Sequence, residues 1–212
     1  MRPVIFLPGL GQTPQSWQDQ VVALPSGTPM FAPWLPGVRP GDDQTFELDA
    51  ATEELRQFIE LQGIEKVRIV GHGLGGLVAT RLAARYPEVI TGVVLSGPQL
   101  RPSKMALRMQ ATMLRLAPLR AFSDSADLKR RAIEAVKALG EVDPAADLAA
   151  VDCPTLVIIG DSDKLGKAAA EQIRSMINDA ELITVPGGAQ PNTEDPAAFN
   201  VALVDFLQKT DS

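Results

Sequence analysis

The chain is poor in the side chains that build metal centres and disulfide bonds. Its 212 residues include one cysteine, Cys153, and one histidine, His72. A single cysteine excludes a disulfide within the chain and a cluster of thiolate ligands. A single histidine excludes a histidine-rich metal site. We therefore expect a protein that works without a bound metal.

Long apolar runs and an excess of positive charge are also absent. The apolar residues at the start of the chain end at Pro8-Gly9, too soon for a signal-peptide core or a bilayer span. We therefore expect no membrane span and a cytoplasmic location. The formal net charge of -6 argues against nucleic acid as a partner. The charge is uneven, because residues 101–137 hold nine Lys and Arg against three Asp and Glu.

Short β-branched and aliphatic runs alternate with segments of helical periodicity. The runs are Pro3–Leu7, Met30–Ala32, Lys66–Val70, Thr91–Leu95, Thr155–Ile159 and Glu181–Val185. They are continuous in apolar character, which is typical of strands covered on both faces. Apolar residues at helical spacing occur in Glu47–Leu61, Gly76–Tyr86 and Pro196–Lys209. The sequence therefore predicts an α/β fold, with a mostly parallel sheet of about six strands flanked by helices.

One interval interrupts this alternation. Ser103–Leu116 and Ser125–Leu139 have helical periodicity, with no strand between them. The length of the chain fits one domain. We predict that residues 1–98 and 151–212 form its core and that residues 99–150 form a two-helix lid over the edge of the sheet.

A glycine-rich turn follows the third predicted strand. Its sequence, Gly71-His72-Gly73-Leu74-Gly75-Gly76, leads directly into a helix. A strand, a tight turn and a helix resemble the nucleophile elbow of α/β-hydrolases, whose pattern is Gly-x-Ser-x-Gly. Gly73 stands where that family has its serine. A phosphate-binding turn is the alternative, but the Walker lysine and the dinucleotide glycine spacing are missing.

Two further segments resemble the same family, in family order. Phe6–Leu10 resembles the segment that supplies half of the oxyanion hole. The resemblance implies that the backbone N–H groups of Leu10 and Leu74 face a developing oxyanion. The strand that ends in Gly-Asp-Ser-Asp resembles the one that carries the triad acid. This places the acid at Asp163, with Asp161 as the less favoured alternative.

The segment Gly188–Asn200 resembles the part of the family that carries the catalytic base. Counting back from Glu194 and Pro196 puts the histidine position at Ala189. Gln190 is the alternative if the loop is shifted by one residue. His72 precedes the nucleophile position, where the family's side chain points away from the pocket, so we expect a packing role for it.

The resemblance implies a small-lid esterase or lactonase that lacks its catalytic serine and histidine. The parent activity is hydrolysis of a carboxylic ester, lactone or thioester through an acyl-enzyme, without a cofactor. An inactivated variant is the favoured explanation, because both functional groups are gone while their supporting residues remain. A natural pseudo-hydrolase that binds a ligand is the first alternative. A lyase like the menaquinone-pathway synthase, which the chain resembles in length and lid size, is the second.

Methionines recur every four residues in the first helix of the predicted lid. Such a stripe commonly packs on a core, and here we expect Met105, Met109 and Met113 to roof the pocket and contact an acyl substrate. Arg108 would then bind a substrate carboxylate. Most surface arginines are simply solvated, and docking of this basic helix on acidic lipid is a further reading.

Overall fold

The structure, a computed structural model, describes residues 1–98, 100, 104–122 and 125–211. Six strands form one sheet in the order β2-β1-β3-β4-β5-β6, and every neighbouring pair is parallel. The strands are β1 (Val4–Leu7), β2 (Met30–Phe31), β3 (Val67–His72), β4 (Ile90–Ser96), β5 (Thr155–Gly160) and β6 (Ala180–Val185). The predicted α/β fold with a mostly parallel sheet is confirmed.

Helices cover both faces of this sheet. They are α1 (Gln18–Ala23), α2 (Leu48–Leu61), α3 (Leu74–Arg85), α4 (Lys104–Leu116), α5 (Ala126–Ala138), α6 (Ala145–Ala150), α7 (Lys164–Met176), α8 (Pro191–Glu194) and α9 (Pro196–Lys209). Successive strand residues enter opposite cores, because side chains alternate across a strand. In β1, Ile5 and Leu7 belong to the core that includes α2, α3 and α7, whereas Val4 and Phe6 belong to the core that includes α1 and α9.

The segment between β4 and β5, which we call the insert (residues 99–150), contains α4, α5 and the short α6. Sequence periodicity predicted the first two helices and missed the third. Ser103, the predicted start of the first helix, lies outside the described residues. No helix in the described part of the chain is long and apolar enough to cross a membrane.

The methionine face of α4 is oriented differently from the prediction. Met105, Met109 and Met113 are 80%, 55% and 65% exposed, so the expectation that they pack over a pocket is wrong. The buried face of α4 instead carries Leu107 and Ala111, which lie against α5 and the turn that follows it. The three methionines and the pair Leu107 and Ala111 both have helical spacing. Tertiary contacts decide which of these two groups packs against the rest of the protein.

Two arginines tie the insert to the core. Arg131 of α5 is almost fully buried and donates hydrogen bonds to the carbonyl oxygens of Gln44, at 2.9 Å, and Asp42. Arg81 of α3 pairs with Asp147 of α6 at 2.5 Å. These contacts join α5 to the loop before α2 and α6 to α3, so they hold two separate parts of the insert on the core.

Candidate active site

A one-residue turn joins β3 to α3. Gly73 lies between the last strand residue and the first helix residue, with φ +49° and ψ -108°. Its N–H donates to the carbonyl oxygen of Ser96 at the end of β4, at 2.9 Å. A methyl group placed on Gly73 would meet no heavy atom of the described residues within 4 Å. The turn therefore presents position 73 to open space in a backbone conformation that favours glycine.

The flanking glycines, Gly71 and Gly75, are required because their positions have no room for a side chain. A methyl group on Gly71 would lie 2.5 Å from the nitrogen of Gly76, and it would also overlap the Gly75 carbonyl. A methyl group on Gly75 would lie 2.7 Å from the carbonyl carbon of Leu7. Strand and helix thus approach each other through bare backbone at Gly71 and Gly75, and of the three glycines only Gly73 has room for a side chain among the described residues.

Two backbone donors lie at the end of this turn. Leu74 is the first residue of α3, and Leu10 lies in the loop that follows β1. The close approach of Gly75 to Leu7 brings that loop against the helix start. Within the described residues no group accepts a hydrogen bond from the N–H of Leu10 or Leu74. Free N–H groups at a helix N-terminus can stabilise a developing negative charge.

The two aspartates after β5 both bind neighbouring backbone. Asp163 Oδ1 accepts a hydrogen bond from the Gly166 N–H at 2.8 Å and so caps α7. Asp161 Oδ1 accepts from the Gly187 N–H at 3.2 Å, and Ser162 Oγ donates to the Gly187 carbonyl at 2.7 Å. The β5–α7 loop is therefore bonded directly to the loop after β6, which carries Ala189.

Ala189 is exposed in the β6–α8 loop and lies beside the end of β4. A methyl group on Gly97 would lie 2.6 Å from the Ala189 carbonyl oxygen. Since Gly97 follows Ser96, which accepts the Gly73 N–H, the predicted nucleophile and base positions approach the same strand end. Glu194 accepts hydrogen bonds from the N–H groups of Gly188 and Gln190 and holds the loop in place.

Gln190, the alternative base position, is already bonded. Gln12 Nε2 donates to Gln190 Oε1 at 3.1 Å, while Gln12 Oε1 accepts from the Gly9 N–H at 2.8 Å. This pair joins the loop after β1 to the loop after β6. Sequence reasoning did not single out Gln12, because nothing in its local sequence distinguishes it from an ordinary loop residue.

His72 is packed below the turn, as predicted. It is 7% exposed, and its Nδ1 lies 3.2 Å from Ser96 Oγ. Its ring fits between two glycines, since a methyl group on Gly9 would lie 2.5 Å from Cδ2 and one on Gly97 would lie 2.6 Å from Cε1. Burial lowers the pKa of His72 to about 4, against the opposing attraction of nearby carboxylates. The imidazole is therefore neutral at pH 7.

A small apolar cavity of about 20 Å³ adjoins the turn. This is room for about one water molecule. Its lining consists of Gly73, Gly76, Leu77, Thr80, Leu95, Pro98, Pro144, Leu148 and Ile173. Leu148 comes from α6, so the insert helix that the sequence analysis missed closes the cavity.

The residues predicted to bind substrate from the insert, Met105, Arg108, Met109 and Met113, do not line the cavity. Their substrate contact stays a prediction. Among the described residues there is no group of three or more histidine, cysteine and carboxylate side chains able to hold a metal ion.

The predicted nucleophile, acid, base and oxyanion-hole positions all follow the carboxyl ends of parallel strands, around a glycine elbow. Fold and turn together define a protein of the α/β-hydrolase class. Residues 4–202 match the alpha/beta hydrolase family, and the chain belongs to that family. The family supports a hydrolase as the coarse description of its activity class.

Relatives of known sequence or structure agree with this assignment. A candidate carbamate hydrolase of Shigella flexneri, RutD, is 24% identical over 96% of this chain and 90% of its own length. The enol-lactonase of Burkholderia xenovorans is 21% identical, with a TM-score of 0.83 over 98% of this chain and 92% of the lactonase. MenH of S. aureus is 16% identical, with a TM-score of 0.80 over 100% of this chain and 95% of MenH. At these identities the two structures establish the fold alone.

Proposed function

We propose that this chain is a serine-hydrolase-type protein whose nucleophile and base positions are Gly73 and Ala189, and that it binds an acyl compound without efficient turnover. The observation that carries the proposal is the turn at position 73. It has positive φ, open space for a side chain and rigid backbone on either side. A turn of this kind presents a nucleophile to solvent.

The groups around position 73 can be assigned separate roles in an acyl-transfer reaction. In the active parent, a serine at position 73 would attack the carbonyl carbon, and a histidine at position 189 would accept the serine proton. Asp163 would orient that histidine. The N–H groups of Leu10 and Leu74 would stabilise the oxyanion of the tetrahedral intermediate. The histidine would then return the proton to the leaving group, and water would hydrolyse the acyl-enzyme.

The substrate class is proposed from the family and from the relatives. The cavity of about 20 Å³ beside Gly73 has room for about one water molecule, so it does not measure the length of an acyl chain. We propose an ester, thioester, lactone or carbamate as the substrate class. The similarity to a candidate carbamate hydrolase supports the last of these.

The chain as written lacks two of the groups that acyl transfer needs. Glycine and alanine can neither attack a carbonyl nor accept a proton. Binding and oxyanion stabilisation alone leave at best ~10³–10⁴-fold acceleration over water. The favoured interpretation is an inactivated hydrolase. A natural pseudo-hydrolase that only binds a ligand is the second candidate, and it is favoured by the N–H groups of Leu10 and Leu74, which have no acceptor within the described residues and are available to a ligand.

Restoring both groups tests the proposal. The double variant Gly73→Ser, Ala189→His should react with a fluorophosphonate probe at the new serine and hydrolyse p-nitrophenyl esters. The matched controls are Gly73→Ser alone and Gly73→Ser with Gln190→His. A folded double variant with neither labelling nor turnover contradicts the proposal. Activity only in the Gln190→His combination shows that the base position is wrong.

A further inference from the structure

The outward side of α4 exposes an unusual concentration of apolar side chains. Among the described residues, ten large hydrophobic side chains are exposed, and five of them lie between residues 105 and 119. They are Met105, Met109, Met113, Leu116 and Leu119. The other five are scattered over the rest of the chain. A concentration of this kind indicates a contact surface, whereas isolated exposed residues need no explanation.

Four of these residues form one face of the helix. At 3.6 residues per turn, positions 105, 109, 113 and 116 fall within an arc of about 80°. We call these four residues the outer face. The opposite side of α4 is occupied by Leu107 and Ala111, which are buried against the rest of the insert. Since α4 already packs through that side, the outer face is not needed for folding.

Positive charge borders the outer face. Arg108 and Arg115 lie along one edge of it, and Arg120 follows in the next turn. None of the three forms an ion pair with a described residue, whereas Arg130 and Arg131 of α5 are paired with Asp127. Residues 101–137 carry a net charge of +6 from nine basic and three acidic residues, so the remaining chain carries -12. The apolar face is thus embedded in the basic part of an acidic protein.

We propose that the outer face of α4 docks on an anionic lipid bilayer. Met105, Met109, Met113 and Leu116 would enter the boundary between headgroups and acyl chains, and Arg108 and Arg115 would contact the anionic headgroups. A helix with an apolar face and basic flanks lies in the interface in this way. This proposal does not depend on the hydrolase proposal, because it uses none of the residues at the β3–α3 turn.

A bilayer fits this face better than a second copy of the chain. A stable protein interface buries roughly 1,200–2,000 Å² and takes about 20–30 residues from each side. The outer face is a single ridge of four side chains. Pairing two such faces would also bring together two copies of residues 101–137, each with a net charge of +6, and like charges oppose association. A fluid lipid surface demands neither shape complementarity nor a large flat area.

Co-sedimentation with vesicles tests the proposal. The unmodified chain should bind vesicles of equimolar phosphatidylserine and phosphatidylcholine, and should not bind phosphatidylcholine alone. Binding should weaken as salt is added. Arg108→Gln with Arg115→Gln should lower the partition coefficient roughly 25-fold, since each cation near an anionic surface contributes about fivefold. Met109→Gln with Met113→Gln should lower it at least as much, because amides replace the inserted thioethers.

Matched variants elsewhere on the surface are the controls. Val22→Gln with Val201→Gln removes two equally exposed apolar residues from α1 and α9, and Arg174→Gln removes an exposed cation from α7. These controls should bind vesicles like the unmodified chain, and circular dichroism should show every variant folded. Three results overturn the proposal: no binding to phosphatidylserine vesicles at low salt, equal binding to neutral vesicles, or equal losses in the controls. A dimer in sedimentation velocity that the outer-face variants abolish, without vesicle binding, assigns the face to a second copy.

Discussion

The β3–α3 turn makes a quantitative prediction about which of its glycines can be replaced. Gly71→Ala and Gly73→Ala add the same methyl group two residues apart. At Gly71 the methyl would lie 2.5 Å from the Gly76 nitrogen, where backbone on both sides leaves no room to move. At Gly73 it would meet nothing within 4 Å among the described residues. The stability cost should therefore differ sharply between two neighbouring positions.

The two costs have different origins. Alanine at Gly73 is strained by its positive φ, which costs about 1–3 kcal/mol. The lower entropy of the unfolded chain offsets about 0.4–1 kcal/mol of that, leaving ~1 kcal/mol. The backbone at position 71 is extended, a conformation that alanine tolerates. The stability cost of Gly71→Ala therefore comes from the steric clash of the added methyl group. Because the clash is with backbone, we expect that cost at the upper end of the usual range, ~3 kcal/mol or more.

Urea unfolding followed by circular dichroism measures the difference. With an m-value of about 2 kcal/mol/M, the midpoint should fall by ~0.5 M for Gly73→Ala and by ~1.5 M for Gly71→Ala. Gly63→Ala is the control, since Gly63 also has positive φ (+66°) and open space but lies outside the turn. It should match Gly73→Ala. Equal midpoints for the Gly71 and Gly73 variants would refute the geometry of the elbow.

Three further predictions concern single side chains. The pKa of His72, measured by NMR titration of its ring resonances, should be about 4. Because this value lies below the unfolded pKa near 6.5, the protein should lose stability as the pH falls from 6.5 towards 4. A measured pKa above 6 contradicts the burial of His72. Cys153, whose pKa burial raises to about 11, should react with Ellman's reagent only after unfolding, so rapid reaction of the native chain contradicts that burial. Arg131→Met should lower the free energy of unfolding by ~2–4 kcal/mol in urea titrations, because it leaves the carbonyl groups of Gln44 and Asp42 without their donor. The control is Arg130→Met on the exposed side of α5, which should lower it by less than ~1 kcal/mol.

Sequence reasoning found the sheet because its strands are short segments rich in β-branched and aliphatic residues. It missed α7, although the sequence there carries a helical signal. Residues 164–176 are amphipathic, because Ala170 and Ile173 are buried while the lysine, glutamate and arginine side chains of the segment are exposed. This helix could therefore have been predicted from its periodicity. The six-residue α6 is too short for any periodicity, although its Leu148 closes the cavity.

The orientation of α4 could not be read from its sequence for a different reason. The helix carries two apolar stripes, one through the methionines and one through Leu107 and Ala111. Both follow helical spacing, and the larger residues suggested the wrong one. Which stripe packs depends on the shape of α5 and its following turn, which are fixed only by tertiary contacts.

Gly73 and its two flanking glycines occupy their positions for different physical reasons. Gly71 and Gly75 are dictated by backbone contacts that hold β3, α3 and the end of β1 together, so the fold of this chain requires them. Among the described residues no atom packs where a side chain of residue 73 would lie, and the conformation of Gly73 is held by the Ser96 carbonyl and by the close contacts of its neighbours. A serine there would be strained by about 1–3 kcal/mol, and glycine removes that strain. On our proposal, a chain that loses its nucleophile therefore keeps this turn intact and slightly more stable. The same proposal predicts that Gly73→Ser with Ala189→His costs stability while it gives reactivity.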